Sequence, residues 1–368
     1  MIVRAHTNSS KKPKNPISHA EVLKLVEIKS STDVQSSIVN NIQKDKLDEY
    51  TFGFLFRKIY PIIEKILGIS NTKNLADIIN IEDIEKLVLL EKAISCIDFG
   101  YEIFLNYLSE DEIVRMFEFL NINDQRIEES LERVLERIFT KFDDSANLFK
   151  QVIANRLIAI YMSKSKCQHE LEFIYKVVLL MIDKGTFMND IFEFYYQFIL
   201  PLIVFCSLEN TELSKNVVEA VCSISPECQR ITLRHFFKIY YRVGSNEQIK
   251  ILDLTSEVIH TNFFFPSKSF LEWEFSEIIN IALKSESFVV IDAVIELIEN
   301  SAVKKFIHNN LKIILPKIFE NLYKLSKKFW RHEQRFKAIK TIGNILSFDH
   351  EVFEACLIEY NKKKHLTN

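Results

Sequence analysis

Glycine is scarce along this chain, with six in 368 residues, and proline is hardly commoner at seven. Tight turns, hairpins and phosphate-cradling loops draw on glycine for its left-handed backbone and on proline for its fixed φ. A chain with so few of either has little material for a β-rich or loop-rich fold. Strand-like alternation and an Asn-Gly hairpin signal are also missing, which argues against a parallel α/β sheet and for a mostly helical architecture.

The apolar content fits that reading. Hydrophobic residues make up 48% of the chain and 30 positions are Phe, enough for a large core and too much for a disordered chain. From Ala20 onward the sequence runs as helical segments separated by short polar breaks. These fall near residues 70–73, 121–124, 143–145, 163–165, 184–185, 209–211, 225–226, 244–246, 266–268, 285–287 and 348–350. Their spacing pairs the helices with a period of roughly 35 to 45 residues, that of HEAT or armadillo solenoids. In residues 129–142, Leu131, Val134, Leu135, Ile138 and Phe142 follow i, i+3, i+4, i+7 spacing, with Glu132, Arg133, Glu136 and Arg137 elsewhere on the helix. Segments 172–182 and 192–208 are apolar nearly all round, as an inner layer covered on two sides requires. The expectation is an all-α, curved α-solenoid of about eight HEAT-like or armadillo-like helical repeats. It occupies residues 19–362, after a flexible polar leader at 1–18 that carries Pro13 and Pro16 and before a basic tail at 363–368.

Charge and motifs remove several function classes. A net charge of −3 gives no dominant basic surface for nucleic acid. Arg4, Lys11, Lys12 and Lys14 near the start and Lys362, Lys363 and Lys364 near the end are solvated ends or address signals, and both readings stay open. The cysteines Cys96, Cys167, Cys206, Cys222, Cys228 and Cys356 lack CxxC pairing and read as reduced core thiols of an intracellular protein. The start of the chain lacks an apolar signal region. The most lipid-like run, 198–206, is interrupted by Pro201, whereas a spanning helix needs about 20 apolar residues. A soluble protein of the cytoplasm is expected, with the nucleus also open, and with no membrane partner. Neither GxGxxG nor GxxxxGK[ST] occurs, and the nine histidines form no HExxH. The Cys167–His169 and Cys222–Cys228 proximities read as filler rather than zinc ligands. No catalytic residue, cofactor or metal is expected. The aromatic stretch Phe263 to Phe265, Phe270, Trp273 and Phe275 has Lys268 alone among it, with Glu272, Glu274 and Glu277 adjoining. That favours an inter-repeat core over a base-stacking platform. Lys317, Lys324, Lys327 and Lys328 form a basic face, either solvated or aimed at an acidic partner.

Residue order goes further than periodicity. The string ILPKIFENLYKLSKKFW at 314–330 sets Ile314, Ile318, Leu322 and Leu325 at helical spacing with Phe319 beside them. It resembles the C-terminal repeats of the protein phosphatase 2A regulatory subunits of the B-prime family. Residues 112–131, with Asp124 and Arg126 as a D-x-R helix start, are similar to the same family. So are 131–155, with Leu135, Arg137, Ile138, Lys141, Phe142, Ile153 and Asn155, the ILPL at 199–202, and Lys238 followed by 249–259. The resemblance spans about 50–362. Departures are a Lys238-Ile239-Tyr240-Tyr241 sequence in place of Lys-Tyr-Trp-Pro, a shortened segment between Tyr60 and Ile113, and no long charged C-terminal extension.

The resemblance implies a non-catalytic regulatory subunit. It would dock on the scaffold and catalytic subunits of protein phosphatase 2A and direct serine/threonine dephosphorylation to selected substrates. Family members hold substrate motifs of the form Leu-x-x-Ile-x-Glu in a groove. By resemblance, Arg137 matches a basic position there, Phe139 replaces a tyrosine, Lys141 is retained from the same helix, and Val177 and Met181 take the isoleucine positions. Glu136 stands where the family has His, and Ala146 where it has Arg. Two lost charge-assisted hydrogen bonds at about 1.5 to 3 kcal/mol each predict weak or no binding of the acidic motif. An independent helical-repeat adaptor in transport or trafficking is the alternative. Residue order at 112–155 and 311–330 favours the phosphatase subunit, because generic HEAT arrays share periodicity but not order.

Overall fold

The computed structural model describes residues 40–42, 44, 46–68, 81–121, 124–163, 168–185, 191–205, 211–261 and 271–367. The leader at 1–18, the breaks at 70–73 and 266–268, Cys167, Cys206, Phe263 to Phe265 and Phe270 lie outside these residues. Among the described residues the regular elements are helices, and backbone pairing of the β kind is confined to an isolated bridge between Leu47 and Ile97. The chain divides into two compact units, residues 1–156 and 157–368.

The first unit holds α1 (Glu49–Leu67), α2 (Ile81–Ser95), α3 (Glu110–Glu118), α4 (Gln125–Lys141) and the start of α5 (Ala146–Ser163). Its helices begin where the sequence supplies caps. Asp48 accepts from the Thr51 amide at 2.7 Å, and Ser109 and Glu112 form a reciprocal capping box. Asp124 accepts from the Arg126 amide at 3.1 Å and also pairs with its guanidinium. The D-x-R order is therefore an N-cap closed by an ion pair. Glu112 further accepts from Tyr60 Oη at 2.7 Å, fixing α3 on α1. An aromatic core surrounds Phe52, whose ring lies 5.3 to 6.0 Å from those of Phe56, Phe99, Phe104 and Tyr107. Gly53 admits Tyr107 to this core, since a Cβ there would stand 2.8 Å from the tyrosine oxygen. On α4 the expected stripe of Leu131, Val134, Leu135 and Ile138, with Phe142 just beyond, is buried. Each such side chain contributes about 1.5 to 3 kcal/mol.

The second unit holds the rest of α5, α6 (Gln168–Asp183), α7 (Thr211–Ile224), α8 (Pro226–Tyr240), α9 (Ser245–Thr261) and α10 (Leu271–Ala282). It continues with α11 (Phe288–Glu299), α12 (Ser301–Asn309), α13 (Leu311–Lys328), α14 (His332–Leu346) and α15 (His350–Thr367). Packing arranges them in two rows. Helices α6, α7, α9, α11 and α14 lie each against the next, and α8, α10, α13 and α15 form the second row. Pairs α7 with α8, α10 with α11 and α13 with α14 join the rows, and α12 is an additional helix packed on α9, α11 and α13. This is helix-pair repeat packing, in which each pair buries its face on the next.

Side-chain bonds measure the repeat directly. Asn321 bonds Asn280 across 41 residues, Gln334 bonds Asp292 across 42, and Asn344 bonds Glu299 across 45. In the first unit Arg137 bonds Glu91 and Lys141 bonds the Ser95 carbonyl, each across 46. These separations, 41 to 46 residues, lie at or just above the upper end of the period read from the polar breaks. In the string at 314–330, Ile314, Ile318, Phe319, Leu322 and Leu325 are all buried on α13.

Two stretches differ from expectation. The described part of 192–208, residues 192–205, does not form one helix: a turn at Ile191–Phe194 passes into a π-helical turn at Tyr195–Ile199, then a 3-10 turn at Ile203–Phe205. Pro201, which has no N–H and whose ring crowds the carbonyl four residues back, stands at the interruption. The Leu200 amide instead reaches Tyr195 O at 2.8 Å. At the other end, residues 363–367, read as a tail, continue α15, with Lys363 paired to Glu359 at 2.9 Å one turn earlier. Lysines in a last turn suit the negative helix end.

Candidate functional site

The buried stripe of α4 sets what its other faces present. Arg137, with its side chain 22% exposed, donates from Nη2 to Glu91 Oε1 at 3.1 Å on α2. Its buried Nε has no hydrogen-bond partner. Lys141 is exposed and donates to the Ser95 carbonyl at 3.4 Å. Both cations are therefore turned toward α2. Burial pushes the Glu91 carboxyl above its ordinary range, Arg133 pulls it back, and Glu136 reinforces the rise. Burial also lowers the Arg137 pKa. An incoming carboxylate would thus meet an arginine already held by one acid and flanked by an exposed second one, Glu136.

The other nominated residues are core. Phe139 is fully buried, with its ring 5.2 Å from that of Phe149. Val177 and Met181 are fully buried within α6 of the second unit. In this conformation none of the three offers a surface to a ligand. Arg137 and Lys141 are brought together, and what joins them is α2, which residue order did not nominate. The available signal was the shared offset: Glu91 and Ser95 each lie one repeat before their partners.

The remaining candidates resolve as follows. Trp273 is 46% exposed, with Phe237 at 5.3 Å and Lys317 Nζ 5.0 Å from its ring centre, while Phe275 is buried against Phe306. Of the basic face, Lys317 lies 3.7 Å from Glu277, Lys324 pairs with Glu320, and Lys327 sits over the Tyr323 ring. Lys328 has no partner among the described residues. Cys96, Cys222, Cys228 and Cys356 are buried, and none of them forms a disulfide. Cys222 lies 3.7 Å from Thr232 Oγ1 and Cys228 accepts from Ser225 Oγ at 3.4 Å, and burial pushes both thiols up. No group of three or more His, Cys, Asp or Glu that could hold a metal occurs among the described residues. Nor is any helix there long and apolar enough to cross a membrane.

Helix-pair packing held by cross-repeat bonds defines a helical-repeat protein. The family model for the protein phosphatase 2A regulatory B subunit, B56 family, matches residues 55–368. The chain belongs to that family. It is a regulatory subunit and not itself the enzyme, and the resemblance drawn from residues 112–155 and 314–330 is borne out. The serine/threonine-protein phosphatase 2A 56 kDa regulatory subunit alpha isoform of Mus musculus is 19% identical over 374 residues, covering 91% of this chain and 73% of its own. The human alpha isoform gives the same identity and coverage. A crystal structure of an engineered protein aligns over 93% of this chain and 92% of its own at 12% identity and a TM-score of 0.30, too distant to bear on the fold.

Proposed function

We propose that this chain docks on the scaffold and catalytic subunits of protein phosphatase 2A and directs serine/threonine dephosphorylation to selected substrates. The chemistry and its metal centre lie in the catalytic partner. The observation that carries this reading is the extent of the family match, residues 55–368, which runs through both compact units rather than one segment. In a repeat array, partner-facing residues are scattered over successive helix pairs, so a match of this length supports a retained docking surface better than a short motif does.

The acidic substrate motif is bound weakly or not at all. Arg137 is engaged by Glu91, Glu136 adds a repelling charge, and Phe139, Val177 and Met181 are occupied by the core. Substrates would then be recruited elsewhere on the array.

Size-exclusion chromatography with light scattering tests the proposal, using the full chain mixed with scaffold and catalytic subunits from the same organism. A 1:1:1 complex is expected. No association at micromolar concentration would overturn it and leave the free-standing helical adaptor as the reading.

A further inference from the structure

The string at 314–330 ends in Trp330, and the surface around that residue lies outside the candidate site on α4 and α2. Residues 327–340 carry Lys327, Lys328, Arg331, Arg335, Lys337 and Lys340 against a single acid, Glu333. Lys337 is held by Asp292 at 2.7 Å and by Glu333 at 3.3 Å, and Lys327 lies over Tyr323. Lys328, Arg331, Arg335 and Lys340 hold no acid among the described residues. Lys337 carries one charge against the two of Asp292 and Glu333, so with Glu286 two acidic charges are left against the four of Lys328, Arg331, Arg335 and Lys340.

Large apolar side chains stand among these cations. Trp330 is 66% exposed, Phe336 64% and Ile339 52%, and Phe288 is also exposed. Trp330 and Phe288 meet edge to face at 6.3 Å, and the Arg331 guanidinium lies 4.1 Å from the Phe288 ring centre and 5.6 Å from that of Trp330. The indole N–H donates to the Glu286 carbonyl at 3.4 Å, so the ring is held in position while its face stays in water. His332, Phe336, Ile339 and Lys340 continue the exposed side of α14 at helical spacing. Single exposed apolar residues need no explanation. A fixed Trp–Phe pair crossed by an arginine that holds no acid does. The start of α11 at Phe288 adds to the field, whereas that of α14, just after Arg331, carries Glu333 in its first turn. Neither Ser287 nor Arg331 caps with its side chain, and the first turn of α11 has no acid.

We propose that this surface docks an acidic segment of a partner protein carrying aromatic or aliphatic side chains. Its carboxylates lie on Lys328, Arg331 and Arg335, and its apolar groups lie on Trp330 and Phe288. The charge is local in a chain whose net charge is −3, which favours a short acidic peptide over a long polyanion. The inference is independent of docking to the phosphatase.

The chain has two tryptophans, so Trp273→Phe leaves Trp330 as sole reporter. The probe is a short Glu/Asp peptide with two Phe residues, compared with the same peptide without Phe, a Lys-for-acid version, a uridine-rich oligonucleotide and phosphatidylserine vesicles. With the Phe-containing acidic peptide, Trp330 emission moves to the blue. Binding by anisotropy weakens about tenfold or more in Arg331→Glu and in Trp330→Ala. Lys328→Glu, on an exposed side chain at the end of α13, weakens it in the same direction. An unmoved emission at millimolar peptide overturns the proposal. So does unchanged affinity in Arg331→Glu and Lys328→Glu variants that retain the wild-type circular dichroism. Equal or tighter binding of the oligonucleotide or vesicles, lost in the same variants, also overturns it in favour of a general anion site.

Discussion

Glu91 is what withholds Arg137, and removing it separates the structural role of the pair from any role in recognition. A charge-assisted hydrogen bond contributes about 1.5 to 3 kcal/mol. With side chains 22% and 14% exposed, the pair lies between the exposed regime of about 0.2 to 1 kcal/mol and the buried one of about 3 to 5. Arg137→Ala should therefore cost about 2 kcal/mol in urea unfolding, because it leaves Glu91, already disfavoured as an anion by burial, without that donor. Glu91→Ala should cost the same order, leaving a guanidinium whose Nε is unpartnered. For a ligand the sign reverses. One regained charge-assisted bond would tighten an acidic Leu-x-x-Ile-x-Glu peptide roughly 10- to 150-fold in Glu91→Ala relative to wild type. Fluorescence anisotropy on wild type, Glu91→Ala and the double variant with Arg137→Ala reads this, and the gain should vanish in the double variant. A wild-type dissociation constant at or below micromolar, or no gain in Glu91→Ala, refutes the reasoning.

Four further outcomes follow from the same geometry. Burial alone would raise the Glu112 pKa, but hydrogen bonds from Tyr60 and Ser109 bring it below its usual 4.5. A depressed carboxyl stabilises the fold above its unfolded value and loses that contribution as pH falls through the folded one, so between about pH 6 and pH 3 the melting midpoint should drop further in wild type than in Glu112→Gln. Asp124→Ala removes the cap of α4 and should cost about 0.5 to 2 kcal/mol in denaturant unfolding. Phe319→Ala opens a cavity beneath the Tyr323, Phe353 and Tyr360 rings, costing about 3 to 5 kcal/mol and raising amide exchange in α15. With Cys167 and Cys206 replaced by Ser, the remaining buried thiols should react with Ellman's reagent only on unfolding.

Helix existence and facing were legible because one periodicity governs both. The positions spaced i, i+3, i+4 on α4 and α13 are the ones the core buries. The interruption at 195–199 was not legible from apolar content, although Pro201 just after it was in view. The site was legible only in part, for two physical reasons. Val177 and Met181 were nominated by their place in a residue order, but an apolar side chain that suits an anchor pocket also suits a core, and here the core has them. Arg137 was singled out by resemblance as a basic position of the groove. Its partner is 46 residues away, and no local pattern names a carboxylate on the preceding repeat.

That distant pairing has a reason that bears on the whole array. An apolar stripe decides which side of a helix is buried, but leaves it free to slide along its neighbour, since leucines and isoleucines pack acceptably at several offsets. Polar bonds do not tolerate sliding, because a partner missed by one turn leaves a desolvated group unpaired. The bonds from Arg137 to Glu91, Lys337 to Asp292 and Asn344 to Glu299 therefore fix which turn of each helix meets which turn of the preceding repeat. Helix register consumes these charges before any partner arrives. Counting basic residues along a helix consequently overstates what is free to bind: Lys317, Lys324 and Lys337 are held by acids of this chain. Subtracting the charges committed to register and local pairing leaves Lys328, Arg331 and Arg335 beside an exposed indole, and it is there that an acidic partner would meet cations with no acid of their own.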